Sequence, residues 1–520
     1  VYFIWGLIIC VVFTLYANNI SKLYFSSLIG SGIGSFIAVY SLDKFGNQLS
    51  LLVLFLFSIF SIIFYCFFDR KNRKLAVPLL VIGLIGSFFY YNFAEYFSIL
   101  CINKKPLFTE SNSFSQIDTY EWYDYLIHVD EEEALLSRAT SIKGSAMYQL
   151  VIDCIGATTF VGFEPANIKS GSRAILNMPF EVTEYPNALV IGSGAGIDVV
   201  AAVLAGVDKV TAVEINPIIL NRVNKLTKNN PSLNIYNHKS VDLVLEEARN
   251  FISKSSNNYD LIYLTSAKRY GGAGLSAYDF LENYLYTQEA FNEYFKHLTE
   301  NGILAIGDLK WFIQRYTENG LLALKSNGIE PENKVALVKS SNIFLAFFKK
   351  SDFTEQEKNF LLRQSKSMGF DVEFLDTKSI DTYIAKAVKI TDNHPFYWNR
   401  HNLKSLLGIT NQMYEQYIGL KNEAFPSLYS YFLMLIITLL CLLVFFIFPF
   451  YFSRSFNFSN SVPFLLYFSF IGLGFIIFEL MLINKFTLFV MRPVYAISIV
   501  LSSLLFFAGI GSYLTNNISK

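Results

Sequence analysis

Apolar residues are concentrated at the two ends of the chain, and a long polar segment separates them. Seven apolar runs each approach the roughly 20 residues with which a helix crosses about 30 Å of hydrocarbon. They are residues 1–17, 24–42, 49–68 and 75–93 before the polar segment, and 427–451, 463–483 and 493–513 after it. The first run follows no basic segment and precedes further runs, so we expect a membrane helix there rather than a signal peptide. The pattern predicts an α-helical membrane protein with four spans within 1–93 and three within 426–520.

The polar segment divides into three parts by the spacing of its hydrophobic positions. Short mixed runs such as YQLVID and ATTFVGF favour a small β domain over 103–182. From 183 to 350, apolar strand candidates alternate with helical stretches, which is typical of an α/β Rossmann-like domain with a parallel sheet. Residues 351–425 are predicted to form a mostly helical extension. The strand candidates are ALVIG (188–192), VTAVE (210–214), LNIY (233–236), DLIYL (260–264) and GILAI (302–306), then an antiparallel pair, VALVK (335–339) and NIFLAFF (342–348).

The sharpest chemical signal is a glycine-rich turn, Gly192-Ser193-Gly194-Ala195-Gly196, between the first candidate strand and a helix. Glycines let a backbone approach a ligand closely, and a helix N-terminus offers free N–H groups. The spacing is not the dinucleotide pattern G-x-G-x-x-G, because Ile197 occupies the sixth position. Glu214 ends the next strand, where a carboxylate can accept both ribose hydroxyls of an adenosine. Glu247 begins EARNF, where an acid can receive the adenine amine, so the sequence predicts an adenosyl-nucleotide site.

Composition supports a membrane protein and removes several classes of function. Hydrophobic residues make up 53% of the chain and charged residues 16%, with a mean hydropathy of +0.37. These values exclude a disordered chain and a purely water-soluble one. The 42 basic residues balance the 42 acidic ones, so we expect no nucleic-acid partner held by a basic face. The five cysteines form no C-x-x-C pair, and His394 and His401 lack a common ligand spacing, so no metal site is predicted.

Several longer stretches of the chain match one known family. Between Tyr148 and Ile306 they are YQ (148–149), LVIGSGAG, VTAVEINP, EARNF, YDLIYL and LENYLYTQEAFNEYFKHLTENGILAI. This segment resembles the spermidine synthase (aminopropyltransferase) family. YFSSLIGSGIGSF (24–36), TDNHPFYW (391–398) and residues 470–512 are similar to its bacterial transmembrane branch, in which this domain is fused to membrane helices. The resemblance implies transfer of an aminopropyl group from decarboxylated S-adenosylmethionine to an amine such as putrescine, and Gln149 among the nucleotide-binding residues.

The acidic positions that the family uses for its cationic substrates carry other residues here. The resemblance implies one aspartate inside the glycine loop and two in the loop after the fourth strand, where this chain has Ala195, Thr265 and Lys268. Lys268 and the adjacent Arg269 would repel a diamine. Three nearby acids are weak candidates for the missing charge: Asp198, which would orient the charged tail of the nucleotide, and Asp279 and Glu282 further along the later loop. A solvated or helix-capping role is the alternative for the last two.

Two functions of different classes remain open. The first is a transferase that uses S-adenosylmethionine or its decarboxylated form on a neutral or anionic acceptor, such as a lipid or another membrane-bound molecule. Methyl transfer would need the same nucleotide, although Val190 stands where many methyltransferase folds carry an acid. The second is a catalytically inactive module, a pseudoenzyme, that serves as a structural or assembly subunit with membrane-protein partners or as a homo-oligomer.

The charges near the predicted membrane ends do not orient the chain. Seven basic residues fall on one side and six on the other, and the positive-inside rule needs a larger difference. The loop DRKNRK (69–74) favours a soluble domain outside the cytoplasm. S-adenosyl nucleotides are cytoplasmic metabolites, however, so we expect the soluble domain in the cytoplasm, on the inner or plasma membrane of a bacterium.

Three further features have structural interpretations. Gly30, Gly32 and Gly34 lie close together in the second predicted span, where small residues let helix backbones approach. Glu479 lies inside the sixth span, where an acid usually faces a partner helix, and a functional role is the alternative. The segment TDNHPF (391–396) is predicted to be a structural clasp; its Asn393 stands where the family has a second aspartate.

Overall fold

The computed structural model describes most of the central α/β region and helices near both ends of the chain. The described residues are 13, 16, 19–68, 81, 85, 106–112, 115–121, 147–152, 156–163, 175–265, 267, 283–340, 343–395, 435–441, 458–490 and 493–515. The predicted spans 1–17, 75–93 and 427–451 lie largely outside these residues. The chain divides into one unit of residues 1–95, 111–115 and 439–520, and a second unit of residues 96–110 and 116–438.

Among the described residues, helices and strands alternate through the second unit, whereas the first unit consists mainly of helices. The helices are α1 (Ile20–Phe68), α2 (Ile197–Leu204), α3 (Pro217–Leu226), α4 (Ala248–Lys254), α5 (Gln288–Lys296), α6 (Lys310–Ser326), α7 (Glu355–Met368), α8 (Thr377–Lys386), α9 (Phe458–Val490) and α10 (Pro493–Thr515). The strands are β1 (Phe108–Ser111), β2 (Gln116–Glu121), β3 (Met147–Ile152), β4 (Gly156–Val161), β5 (Asn187–Ile191), β6 (Lys209–Glu214), β7 (Val241–Leu245), β8 (Tyr259–Thr265), β9 (Leu298–Leu309), β10 (Val335–Lys339), β11 (Ile343–Lys349) and β12 (Asp371–Phe374).

Three helical segments of the first unit are long and apolar enough to cross a membrane. They are Ile20–Gly46 within α1, Leu466–Thr487 within α9 and Val494–Thr515 within α10, and they coincide with three of the predicted spans. The predicted span 49–68 continues α1 beyond Gly46, where a φ of 72° and a ψ of 179° interrupt the helical geometry. It is not among these three segments, so the described residues support three of the seven predicted spans.

α1 and α10 approach closely through small and hydroxyl-bearing residues. A Cβ added at Gly32 would lie 3.2 Å from the backbone oxygen of Ser502, which marks a close contact of the two helices. Ser502 Oγ donates to Gly32 O at 2.9 Å, and Ser498 Oγ donates to Ser35 O at 3.0 Å. The hydroxyls of Ser35 and Ser502 are also hydrogen-bonded to each other. Because lipid offers no partner for a hydroxyl, these bonds hold the helix pair together.

A separate four-stranded sheet precedes the large sheet along the chain. Its strands lie in the order β1-β2-β3-β4, and the described pairs β2–β3 and β3–β4 are antiparallel. The runs YQLVID and ATTFVGF form β3 and β4. A 3₁₀ helix, Ile175–Glu181, then leads the chain toward the large sheet.

The large sheet has eight strands in the order β12-β10-β11-β9-β8-β5-β6-β7. The strands β5 to β9 are parallel to their neighbours within that group, and β10, β11 and β12 complete the sheet with antiparallel pairs. Four of the five predicted parallel strands and the predicted antiparallel pair are thereby confirmed. Both faces of the sheet bury apolar side chains, Val190 and Tyr263 on one face and Leu189 and Ile262 on the other. Near-continuous apolar strands are typical of parallel sheets covered on both sides.

Two local predictions differ from the structure. The interpretation of LNIY (233–236) as a strand is wrong, because the segment forms short 3₁₀ turns in which the Asn234 side chain accepts a hydrogen bond from Tyr236 N. The third parallel strand is instead β7, a few residues later. In the stretch predicted to be mostly helical after residue 350, α7 and α8 flank the strand β12, which pairs with β10.

Candidate functional site

The carboxyl ends of the parallel strands meet at one edge of the large sheet, where the order of the strands reverses. The chain runs from β5 outward to β6 and β7, and then crosses back to β8 on the other side of β5. In open α/β sheets, ligands bind in the crevice beside this reversal. The glycine-rich turn 192–196 follows β5 at this reversal, and Ala267 lies two residues after the end of β8. These two places are in close contact, because a Cβ added at Gly192 would lie 2.9 Å from the Cβ of Ala267.

Backbone N–H groups of the glycine loop (residues 192–196) donate to acceptors within the protein. Gly192 N and Ser193 N both donate to Val213 O, at 2.9 and 3.1 Å. Gly196 N donates to Ser193 O at 2.9 Å. These bonds tie the loop to the end of β6 and to itself, so its conformation is defined by protein contacts.

Glu214, the last residue of β6, is bound directly to the glycine loop. Its Oε2 accepts a hydrogen bond from Gly194 N at 2.8 Å, and its Oε1 accepts one from Asn216 N at 2.8 Å. The residue is 6% exposed. Burial raises the pKa of the carboxyl, and the backbone N–H donors of Asn216, Gly194 and Ile215 partly oppose that shift. A carboxylate can accept about four hydrogen bonds, so the group can still accept a donor from a ligand.

Two side chains that the sequence analysis missed hold the other flank of the glycine loop. Thr158 of β4 accepts a hydrogen bond from Ala195 N at 2.9 Å. The Tyr236 hydroxyl donates to Gly194 O at 2.6 Å and lies 3.0 Å from Ser193 Oγ. Burial raises the pKa of Tyr236, so this hydroxyl keeps its proton. Tyr236 lies in the stretch that the pattern predicts as a strand, and nothing in that pattern marks its hydroxyl.

The loop geometry requires glycine at two positions in particular. Gly194 has a φ of 57° and Gly196 a φ of 98°, a left-handed backbone that residues with a Cβ rarely adopt. A Cβ at Gly194 would also collide with the Thr158 side chain. A Cβ at Gly196 would lie 2.6 Å from Cγ2 of Ile235. The small β domain and the turn before β7 therefore both pack directly on this loop.

The other predicted acids lie near helix starts. Glu247 is the N-cap of α4, and its Oε2 accepts a hydrogen bond from Asn250 N at 2.8 Å. Asp198 lies in the first turn of α2, directly after the glycine loop, and is 6% exposed. Carboxylates at both places are favoured by the helix dipole. Asp279 and Glu282, together with Lys268 and Arg269, lie outside the described residues.

Gln149 lies on β3 of the small β domain, directly opposite Thr159 on β4. Thr159 Oγ1 donates to Gln149 Oε1 at 2.7 Å, and both side chains are buried. Adjacent residues of a strand point to opposite faces of a sheet. Gln149 therefore shares a face with Thr159, whereas Thr158, the contact to the glycine loop, is on the other face. Its role as a nucleotide ligand stays a prediction.

The strand ends beside the reversal carry one acid that the sequence analysis missed. Thr265, at a position where the family resemblance implies an aspartate, ends β8 and pairs with Gly307 of β9. The next residue, Asp308, is completely buried and accepts a hydrogen bond from the Tyr316 hydroxyl at 2.7 Å. Its position at the carboxyl end of the predicted strand in GILAIGD could have marked Asp308 as a candidate site residue. It faces away from Gly307 and toward α6, because neighbouring strand residues alternate.

The segment predicted to be a clasp contacts a residue of EARNF. Arg249 Nη2 donates to Asp392 Oδ2 at 3.0 Å, and Nη1 lies 3.2 Å from Asp392 Oδ1. His394 N donates to Thr391 O at 2.8 Å and closes a turn in the same segment. Among the residues that the structure describes, histidine, cysteine, aspartate and glutamate form no group of three or more placed to hold a metal ion.

No family model matches the chain, and no curated protein matches it. Solved structures similar to it include a spermidine synthase from Thermotoga maritima, with 14% identity over 54% of this chain and 83% of that chain and a TM-score of 0.33. A probable spermidine synthase from Corynebacterium glutamicum shares 14% identity over 55% of this chain and 95% of that chain, with a TM-score of 0.36. At such values any function has to be argued from the residues of this chain.

Proposed function

We propose that this chain is a membrane-anchored, spermidine-synthase-like transferase that binds an S-adenosyl nucleotide and modifies an acceptor other than putrescine. One observation carries the proposal: the buried carboxylate of Glu214 lies beside Gly194 at the point where the strand order reverses. A ribose diol presents two hydroxyl donors, and a carboxylate with free lone pairs is the acceptor that suits it. The three helical segments that are apolar enough to span a membrane support the anchored state.

The glycine loop fits a nucleotide that carries no phosphate. Its N–H groups from Gly192 to Gly196 all donate to protein acceptors, whereas a pyrophosphate needs free N–H groups at a helix N-terminus. S-adenosylmethionine and its decarboxylated form present a sulfonium cation instead, which favours nearby carboxylates such as Asp198. In the proposed complex Glu247 receives the adenine amine, and Gln149 stays an expected ligand on the family resemblance.

The acceptor should be neutral or anionic. Ala195 and Thr265 supply no charge where a diamine pocket would need acids, and Lys268 and Arg269 add positive charge to the loop after β8. Like charges a few ångströms apart repel by about 1–4 kcal/mol, depending on how strongly water screens them. A lipid or another membrane-bound molecule has the required charge and would be presented to an enzyme anchored in the bilayer.

The proposed reaction is a displacement at a carbon attached to the sulfonium sulfur. A nucleophilic atom of the acceptor forms a bond to that carbon, the carbon–sulfur bond breaks, and its electron pair stays on sulfur as a neutral thioether. The acceptor must lose a proton to a base. Asp279 and Glu282, which follow β8 in the sequence, are the proposed bases.

The nucleotide also suggests the side of the membrane. S-adenosyl nucleotides are made and used in the cytoplasm, so the proposal needs the soluble unit there. Cysteine substitutions at Lys74 and Glu131, labelled from either side of the membrane, test this. Labelling of the Glu131 region from the cytoplasmic side is expected; labelling from outside would remove the transferase proposal.

A pseudoenzyme with a structural role is the alternative, and the packing around the glycine loop favours it. Thr158 and Tyr236 both bond to the loop, and Glu214 is already shared with Gly194 and Asn216. In this alternative, these side chains satisfy the hydrogen-bonding groups that a nucleotide would otherwise contact, and no nucleotide binds. The module would then contribute a rigid folded surface to a membrane complex.

Direct titration separates the two functions. The detergent-purified full chain is titrated by calorimetry with S-adenosylmethionine, decarboxylated S-adenosylmethionine and methylthioadenosine. We expect micromolar binding that Glu214→Gln weakens at least tenfold, since one charge-assisted hydrogen bond is worth about 1.5–3 kcal/mol. Glu373→Gln is the matched control, because Glu373 is a carboxylate on β12, far along the sheet, paired with Lys339.

Each outcome decides between the functions. Binding that is lost in Glu214→Gln and kept in Glu373→Gln supports the nucleotide site. Folded wild-type protein that binds none of the three compounds would contradict the transferase proposal and leave the structural role.

A further inference from the structure

Arg249 occupies an unusual place for a cation. It lies in the first turn of α4, where the helix dipole disfavours positive charge. Its side chain is only 10% exposed. Burial opposes the charged form, but the hydrogen bonds and charge of Asp392 more than offset it and raise the pKa of the guanidinium. The charged side chain is therefore stabilised by its hydrogen-bond partners and not by the dipole of α4.

The guanidinium joins three segments that are distant in the sequence. Nη1 lies 2.6 Å from Tyr284 O and 2.9 Å from Thr287 Oγ1. Both nitrogens reach the Asp392 carboxylate, at 3.2 and 3.0 Å, in a two-point contact. Thr287 Oγ1 donates in turn to Asp392 Oδ1 at 2.6 Å. An arginine and not a lysine is needed, because only a planar fork can serve these acceptors together.

Backbone bonds extend this contact along the chain on both sides of Asp392. Gln288 N donates to Ile390 O at 2.8 Å, and Asn283 N donates to Pro395 O at 2.9 Å. Asp392 N itself donates to a side-chain oxygen of Glu289 at 3.0 Å. Residues 390–395 therefore run alongside residues 283–289, with the Arg249–Asp392 pair between the two outer bonds.

α4 is the connected element that borders the proposed site. Its N-cap is Glu247, the proposed ligand of the adenine amine, which lies two residues before Arg249. A displacement of about 1 Å in such groups can reduce a rate by about 10²-fold.

We infer that Arg249 and Asp392 are positioning residues: they hold the start of α4 against residues 283–289 and 390–395, so that Glu247 keeps its position in the proposed nucleotide site. This inference rests on the proposed function. It assigns the TDN segment a role in the site although Asp392 lies more than 100 residues after the segment 283–289 that it contacts.

The test uses Asp392→Asn in the full chain, with Asp260→Asn as the matched control. Asp260 is also a partly buried carboxylate with two described hydrogen bonds, to Asn187 N and Thr299 Oγ1, but it lies at the opposite edge of the sheet. Binding of S-adenosylmethionine and methylthioadenosine is titrated, and backbone hydrogen exchange is followed over residues 247–254 and 283–289. We expect Asp392→Asn to weaken binding about tenfold and to speed exchange in both segments. Arg249→Lys should weaken binding to an intermediate degree.

The possible outcomes separate this inference from the proposed function. If wild-type protein binds neither compound, the proposed function fails, and exchange alone decides whether the pair couples the two segments. If wild-type protein binds but Asp392→Asn binds within twofold of it, the positioning role is overturned. Equal weakening by Asp260→Asn would overturn it as well, because the effect would then reflect general loss of stability.

Discussion

Two glycine-rich segments of this chain have nearly the same sequence and opposite structures. Residues 30–34 are Gly-Ser-Gly-Ile-Gly, and residues 192–196 are Gly-Ser-Gly-Ala-Gly. The first lies within α1 and is helical. The second is a turn after β5, in which the three glycines have φ values of 71°, 57° and 98°. The same motif therefore serves two different physical needs.

The surroundings of each glycine segment determine what the missing Cβ atoms contribute. In the apolar helix the missing Cβ provides space, and Gly32 uses that space for a close approach to α10. In the glycine loop the missing Cβ permits a left-handed backbone, and neighbouring side chains occupy the space around all three glycines. A substitution should therefore cost one contact in the helix, but both a contact and a backbone conformation in the loop.

Gly194→Ala is expected to have the largest effect. A left-handed alanine costs about 1–2 kcal/mol, and overlap with Thr158 adds about 1–3 kcal/mol. The free energy of unfolding of the soluble unit should fall by about 2–5 kcal/mol, and nucleotide binding should be lost. Thermal unfolding and calorimetric titration measure the two effects.

Gly328→Ala is the control for that variant. Gly328 has a φ of 73°, but a Cβ there would meet no described atom within 4 Å. It should cost only the backbone term, about 1–2 kcal/mol, and leave nucleotide binding unchanged. Equal losses in the two variants would show that the contact with Thr158 contributes nothing.

The Glu214 carboxylate should make the stability of the glycine loop depend on pH. The glycine segment of α1 (residues 30–34) contains no titratable group and should show no such dependence. Burial raises the pKa of Glu214 above the ordinary value of 4.5. Between that value and the raised pKa the folded state binds more protons than the unfolded state, so the free energy of unfolding falls as pH rises through this window. Each unit of pKa difference is worth about 1.4 kcal/mol.

Comparison with Glu214→Gln isolates this contribution. The unfolding temperature of wild type minus that of the variant should fall as the pH rises from 4.5 through the raised pKa of Glu214. Nucleotide affinity should rise over the same range, because the ionised carboxylate accepts ribose hydroxyls better. A temperature difference that stays constant with pH would show that Glu214 titrates normally.

Tyr236→Phe should have a smaller effect, confined to the loop. It removes the donor to Gly194 O, which costs about 1 kcal/mol and loosens the loop enough to change nucleotide affinity several-fold. Tyr263→Phe is a matched control, because its buried hydroxyl also donates to a backbone oxygen, Leu176 O at 2.8 Å. The control should lose similar stability without any change in affinity.

These residues show which features of the molecule a sequence can predict. β5, β6, β8 and β9 follow from apolar runs, and the positions of the glycine loop and Glu214 follow from the strand ends. Such features depend on local pattern. Only one side of the Arg249–Asp392 pair was predicted, because TDNHPF was interpreted as a clasp and no partner was assigned to it.

Contacts between distant segments were not predictable in this way. Thr158 contacts Ala195 from a different sheet, and Tyr236 contacts Gly194 from a turn that resembles a strand in sequence. β12 was missed because a strand of four residues after a helix has no periodic signal of its own. One sequence without tertiary contacts carries no information about these pairs.

The smallest predicted effect lies in α1, where the two neighbouring glycines give an internal control. Gly32→Ala places a methyl group 3.2 Å from Ser502 O and strains the Ser502–Gly32 hydrogen bond, whereas Gly30→Ala meets no described atom within 4 Å. Hydrogen bonds between membrane helices are worth about 0.6 kcal/mol on average, so Gly32→Ala should weaken the α1–α10 pair by about that amount. Disulfide crosslinking between cysteines placed on α1 and α10 should slow in Gly32→Ala and not in Gly30→Ala. Equal rates in both variants would mean that these glycines act through helix propensity alone, and that the Gly32 contact does not hold the two helices together.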